Sequence, residues 1–188
     1  MRKWAPGIAL FAVLVVLDQA TKIWVERTIP LYQGFSVIGD FFRITFVRNP
    51  GGAFSTKFGG NTFYIIVASL ASLFVVAYLI KAGNSNVAIR YSLFTILSGA
   101  VGNLIDRFRV GEVIDWLDFG FGGTRWPTFN IADAAIVVGL VILIIAGVED
   151  DGKKIDDRSP EGGDPDETGQ VSGDHGPRPQ PEPDTTAH

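Results

Sequence analysis

Residues 63–80 read FYIIVASLASLFVVAYLI, eighteen consecutive positions without a charge, a glycine or a proline. Wound as an α-helix, such a run is about 27 Å long, close to the ~30 Å hydrocarbon core of a bilayer. Three other stretches are nearly as apolar: Trp4 to Leu17, Ile89 to Ile105 and Ile131 to Val148. With short polar extensions, each approaches the ~20 residues that a spanning helix needs. The expected core is therefore a membrane all-α unit of four transmembrane helices. The first run follows Arg2 and Lys3 and also fits the apolar region of a cleaved signal peptide, but Asp18-Gln19-Ala20-Thr21-Lys22 comes after it rather than an A-x-A-like site.

The totals agree with a membrane chain. Of 188 residues, 47% are hydrophobic, too many for an ordinary soluble domain of this length. The formal net charge of -4 conceals an uneven distribution: from Glu149 onward there are 12 Asp/Glu and 4 Lys/Arg, leaving 8 Asp/Glu and 12 Lys/Arg in residues 1–148. With no cysteine, the chain has no disulfide framework, thiolate metal site, cysteine nucleophile or lipid-acceptor cysteine. Both histidines, His175 and His188, lie in the acidic tail. The apolar body thus lacks imidazole, which argues against Ser-His-Asp triads, HExxH zinc sites and histidine proton shuttles, and leaves carboxylates as the leading chemical groups.

Arg2 and Lys3 before the first span, with Lys81 and Arg90 around the connection between spans two and three, place both termini in the cytoplasm by the positive-inside rule. The longer loops, however, carry Arg43, Arg48, Arg107, Arg109 and Arg125. Segment 23–62 contains alternating or aromatic-rich runs, Phe35 to Ile38 and Phe41 to Val47, broken by Gly34, Gly39 and Asn49-Pro50-Gly51-Gly52. It is expected to form a small β-rich extracytoplasmic head, to which Val113 to Phe121 adds a strand. Residues 1–149 are then one transmembrane unit. Residues 150–188, rich in Gly, Pro, Asp and Glu, are expected to be a disordered acidic cytoplasmic tail.

Ionisable groups at or inside spans are costly unless paired or wet, and so mark candidate functional sites. In an up-and-down arrangement, the end of span one (Asp18, Gln19, Lys22), the end of span three (Asn103, Asp106, Arg107) and the start of span four (Asn130, Asp133) emerge on one side. Asp115 and Asp118 lie in the chain between the last two. Asn103 and Asp106, like Asn130 and Asp133, are three apart, a spacing that suits each amide to orient its own carboxylate. Two carboxylates close together share a proton; the ionised one can activate water while the protonated one polarises a carbonyl. Plainer readings stand beside these. Asp18 and Lys22 fit a simple i,i+4 pair, Arg107 and Arg109 fit interface markers, Asn130 fits a helix cap, Asn49-Pro50-Gly51-Gly52 fits a turn, and Asp118 fits a solvated loop residue.

Five segments, Asp18-Gln19-Ala20-Thr21-Lys22, Val47-Arg48-Asn49-Pro50-Gly51-Gly52-Ala53-Phe54, Gly102-Asn103-Leu104-Ile105-Asp106-Arg107, Val113-Ile114-Asp115-Trp116 and Phe129-Asn130-Ile131-Ala132-Asp133, resemble in order the motifs of the bacterial lipoprotein signal peptidase (signal peptidase II) family. The likeness covers essentially residues 5 to 148. It implies a multi-pass aspartyl endopeptidase of the bacterial cytoplasmic (inner) membrane, with its active site near the extracytoplasmic face. Such an enzyme removes the signal peptide from diacylglyceryl-modified prolipoproteins, cutting just before the lipidated cysteine. By position, Asp115 and Asp133 would be the catalytic pair; Asp18, Lys22, Asn49, Asn103, Asp106, Arg107 and Asn130 would bind substrate or support the site. The resemblance implies no metal and no organic cofactor. The expected partners are lipidated substrate and membrane lipid, not nucleic acid, and the expected state is a monomer. Trp116 stands where Phe is more usual and Ala134 where Ser is common, changes that should tune packing more than chemistry. Phe54 and Phe58 are expected to help cover the bound peptide.

Three other readings use the same residue types. Clustered Asp and Asn beside Arg can hold Mg²⁺ and a lipid phosphate in a membrane transferase. Ser98 or Ser55 with Lys22 can make a Ser-Lys hydrolase. Asp18, Asp106 and Asp133 can line an ion or proton path, although transport requires polar groups through the bilayer depth and these crowd near one face.

Overall fold

Each of the four apolar runs forms a helix long and apolar enough to cross a membrane. The structure is a computed structural model that describes residues 4–51, 59–81 and 86–156, with side chains to Val148. Helix α1 (Ala5–Thr28) has Pro6 in its first turn, where the missing N–H removes no helical bond. Helix α2 (Asn61–Lys81) has Leu79 as its one buried residue, and Phe74 is 71% exposed. A helix apolar on all sides and bare of protein neighbours over most of its surface is suited to lipid.

Helix α3 (Val87–Val110) has the opposite character. Asn86 caps its start by accepting from the Ala88 N–H, and Gly111 ends it in the left-handed conformation at φ 81°. Its buried face includes Ser92, Thr95, Ser98, Gly99 and Gly102. The three hydroxyls donate to carbonyls of the preceding turn at 2.7–2.8 Å, which satisfies them without water. At Gly99 an added Cβ would strike the Ala132 carbonyl of helix α4 (Ile131–Asp156), so this pair of helices packs backbone to backbone. α3 also contacts α1 and α2, and is the centre of the bundle.

The strands are β1 (Gly34–Ile38), β2 (Phe42–Asn49), β3 (Val113–Phe121) and β4 (Thr124–Arg125), paired antiparallel in the order β1-β2-β3-β4. Segments expected to be extended on alternation and aromatic content are extended. The first residues of the 23–62 segment, through Thr28, instead continue α1. The physical reason is burial: Val25 and Ile29 pack with Phe46 and Ile114 beneath the sheet, so the last turns of α1 carry the head. The result is a four-helix membrane core with a small β part, as expected. The β2–β3 register shifts between Ile44 and Val47, after which Val47 lies opposite Asp115 and Asn49 opposite Val113. Arg2, Lys3, Gly52, Phe54, Ser55, Phe58 and the tail from residue 157, with both histidines, lie outside the described residues.

Candidate active site

Asp115 reaches the site from β3 and Asp133 from the first turn of α4. Asn130 lies between them, fully buried. It is the N-cap of α4: its Oδ1 accepts from the Asp133 N–H at 2.9 Å, and Asp133 Oδ2 accepts from the Asn130 N–H at 3.3 Å. This is a capping box with Asp in the third position. With Oδ1 committed to the helix, Nδ2 must face the other way, and it donates to Asp115 Oδ1 at 2.7 Å. The other oxygen of Asp115 accepts from Asn49 Nδ2 at 3.0 Å. The β2–β3 ladder places Asn49 there, and its own Oδ1 holds the Gly51 N–H at 2.9 Å.

A second amide serves Asp133. Asn103 Nδ2, from α3, donates to Asp133 Oδ1 at 2.7 Å, while Asn103 Oδ1 accepts from Asn130 Nδ2 at 3.2 Å and from Lys22 Nζ at 2.9 Å. Lys22 is wholly buried and also pairs with Asp18 Oδ2 and Asp106 Oδ2, each at 2.8 Å. Asp18 Oδ1 crosses to the Ala132 N–H of α4 at 2.9 Å, satisfying an amide that the helix start leaves without a partner. Asp106 Oδ2 accepts from the Ile114 N–H at 3.2 Å, one residue before Asp115. The i,i+4 reading of Asp18 and Lys22 is thus correct but partial, since the same lysine also ties α1 to α3.

Arg107 does more than mark the interface. Its guanidinium donates to the Gly51 carbonyl and to Asn61 Oδ1, and lies over the Tyr64 ring at 4.6 Å. Arg109 pairs with Glu26, which Arg48 also holds at 3.2 Å, and its guanidinium comes within 4.0 Å of Asp106 Oδ1, so Arg109 fastens the head and borders the carboxylate cluster. Asp118 is not a solvated loop residue: it lies in β3, bound to Thr45 Oγ1 at 2.8 Å and Arg125 Nε at 2.6 Å. Sequence reasoning placed Gln19 in the polar cluster at the end of span one without a specific partner, and did not single out Asn61 or Tyr64. Gln19 Nε2 bridges Asp18, the Gly102 carbonyl and Asp106 at 3.0–3.2 Å; its place beside Asp18 in the first motif was the available signal.

The expected pairing of each amide with the acid three residues along needs correction. Asn103 serves Asp133 on another helix rather than Asp106, and the side-chain amide of Asn130 serves Asp115 on a strand. Spacing put the groups on one helix face, but the neighbouring elements supplied nearer acceptors. The carboxylates fall into two classes as a result. Asp18 and Asp106 share Lys22, and Asp118 has Arg125. Among the described residues, no Lys or Arg forms an ion pair with Asp115 or Asp133. Burial, then the charge of Asp133, pushes Asp115 up to about 7. Such a pair can retain one proton near neutral pH and act as base and acid together.

Neither the Ser-Lys pair nor the ion path keeps its parts free. Ser98 donates to the Thr95 carbonyl, and the three N–H bonds of Lys22 are taken by Asp18, Asp106 and Asn103. Asp18 and Asp106 are closed on that same lysine.

The family model described as Signal peptidase (SPase) II matches residues 10–148. Over 138 residues the chain is 41% identical to the lipoprotein signal peptidase of Desulforapulum autotrophicum, covering 70% of this chain and 85% of that one. It is 43% identical over 149 residues to that of Geobacter metallireducens, covering 78% and 92%. A bacterial membrane enzyme solved by the in meso method at 2.3 Å resolution superposes with a TM-score of 0.74 at 33% identity, covering 80% of this chain and 92% of that one.

Proposed function

Because the chain belongs to the signal peptidase II family, we propose that it removes the signal peptide from diacylglyceryl-modified prolipoproteins, cutting just before the lipidated cysteine, with Asp115 and Asp133 as the catalytic pair. The observation that carries the mechanism is the sorting of charge at the site. Only these two of the clustered aspartates are held by amide groups in place of a cation, and Asn130 joins them. The ionised member of the pair takes a proton from water as the water oxygen attacks the scissile carbonyl. The protonated member gives its proton to the carbonyl oxygen, forming a neutral gem-diol. As the diol collapses and the C–N bond breaks, one diol O–H gives its proton to the ionised carboxylate while the protonated carboxyl gives its own to the leaving amine, so the pair ends with the single proton it began with. Arg107, Asn49 and Asn103 hold the carboxylates and the adjoining chain in place, and no step needs a cofactor.

The peptidase proper occupies residues 1–149, with 150–188 outside it. Its site faces the extracytoplasmic side and both termini face the cytoplasm; Lys81 and Arg90, at the opposite end of the bundle from the site, support this orientation. A substrate carrying acyl chains then reaches the site from the bilayer. The test is cleavage of a prolipoprotein, with and without its diacylglyceryl group, by wild type, Asp115→Asn and Asp133→Asn in detergent containing chelator. The expected result is cutting of the lipidated form alone and loss of at least 10³-fold in kcat in both folded variants. Near-normal activity in either variant would remove that residue from the pair.

A further inference from the structure

The geometry points to Lys22 as a positioning residue for the reaction, acting through Asn103 to keep an N–H donor aimed at Asp133; this rests on the aspartyl reading above. An ammonium has three N–H bonds and accepts none. Two of those of Lys22 go to Asp18 and Asp106, and the third goes to Asn103 Oδ1 at 2.9 Å. One carboxylate would suffice to compensate the buried cation, and two are present, so the bond to Asn103 is not needed for charge balance. Its effect is on the amide. With Lys22 and Asn130 Nδ2 both donating to Asn103 Oδ1, a flipped amide would set N–H against N–H on two sides. Only one orientation remains, and in it Nδ2 meets Asp133 Oδ1 at 2.7 Å.

The two site amides are therefore fixed by different means. The Oδ1 of Asn130 is held by a backbone N–H of α4, that of Asp133. Asn103 sits in α3 with no such cap, and beyond Lys22 its Oδ1 has only the longer 3.2 Å bond from Asn130. Without the lysine N–H, Asn103 can rotate and present its oxygen to Asp133. That contact favours a protonated carboxyl group, whereas the present one favours the ionised group. Asp133 is also faced by Asp115 from β3, by Asp18 and Lys22 from α1 and by Arg107 from α3. A test must hold that field constant.

Lys22→Met combined with Asp106→Asn removes one charge of each sign from the cluster, leaving its net charge unchanged while deleting the donor to Asn103. In full-length enzyme in detergent, this double variant is expected to lose 10- to 100-fold in kcat with KM within about twofold. The acidic limb of its kcat profile, set by ionisation of the pair, should move to higher pH. Lys22→Arg, which keeps a charged N–H donor, should recover part of the rate. In an Asn103→Ala background, the double replacement should have little further effect on kcat. A folded double variant with the wild-type kcat profile, a loss confined to KM, or full additivity with Asn103→Ala would overturn the inference. So would collapse of the fold in the double variant, since Lys22 would then serve only to bind α1 to α3. Activity in Asp133→Asn would instead sink the aspartyl reading itself, which separates the two failures.

Discussion

Asn130 does two jobs through opposite ends of one amide, and a pair of substitutions can separate them. Asn130→Ala removes both. Loss of the cap costs about 1 kcal/mol, and loss of a hydrogen bond to a carboxylate about 1.5–3 kcal/mol, for a total of about 2.5–4 kcal/mol of stability. Asn130→Ser keeps a good cap, because Oγ can still accept from the Asp133 N–H, but it is too short to do that and also reach Asp115. Its stability should stay within about 0.5 kcal/mol of wild type as far as the cap is concerned. Asp115, already pushed up to about 7, then loses a donor that favours its ionised form. A hydrogen bond of roughly 1.5 kcal/mol corresponds to about one pH unit. The direction is upward, since the lost bond stabilised the charged state. In the proposed mechanism one carboxyl must be protonated, so the alkaline limb of kcat should move about one pH unit higher in Asn130→Ser. The assay is hydrolysis of a lipidated peptide in detergent between pH 5 and 10, with thermal unfolding recorded in parallel. An alkaline limb left at its wild-type position in folded Asn130→Ser would refute the assignment of that bond to Asp115.

The site should also weaken the fold. Because burial holds Asp115 near 7, well above an ordinary carboxyl, the folded protein binds this proton more tightly than the unfolded chain. That contribution is complete in acid and is lost as pH rises through about 7, so Asp115→Asn should be more stable than wild type at pH 8.5, by up to about 4 kcal/mol in chemical denaturation, and show a smaller gap at pH 5. A gap independent of pH would contradict this. At Gly102 an added Cβ would lie 2.6 Å from Asp18 Oδ2 and 3.1 Å from the Ala132 Cβ, so Gly102→Ala should cost about 1–3 kcal/mol and lower activity. Gly147→Ala, where a Cβ meets nothing within 4 Å, is the control and should change stability by less than about 0.5 kcal/mol.

The fold's outline was present in the order of residues. Residues 63–80 are long and apolar enough to cross a membrane, and with three similar runs they make a four-helix bundle whose polar ends meet on one side. Alternation placed β1, β2 and β3, and the motifs drew attention to Asp115, Asp133 and their amide neighbours. Periodicity ends there, because it tells which face a side chain leaves from and not which acceptor lies nearest across a helix interface. Only the packing of α3 on α4, close enough to exclude a Cβ at Gly99, puts Asn103 against Asp133 in place of Asp106. Only the capping box of α4 turns the Asn130 amide toward Asp115. The sequence by itself determined that carboxylates and amides would gather at one end of the helix bundle. Which carboxylates receive a lysine and which are held by amides was decided by tertiary structure, because hydrogen-bond partners are chosen over about 3 Å between elements far apart in the chain.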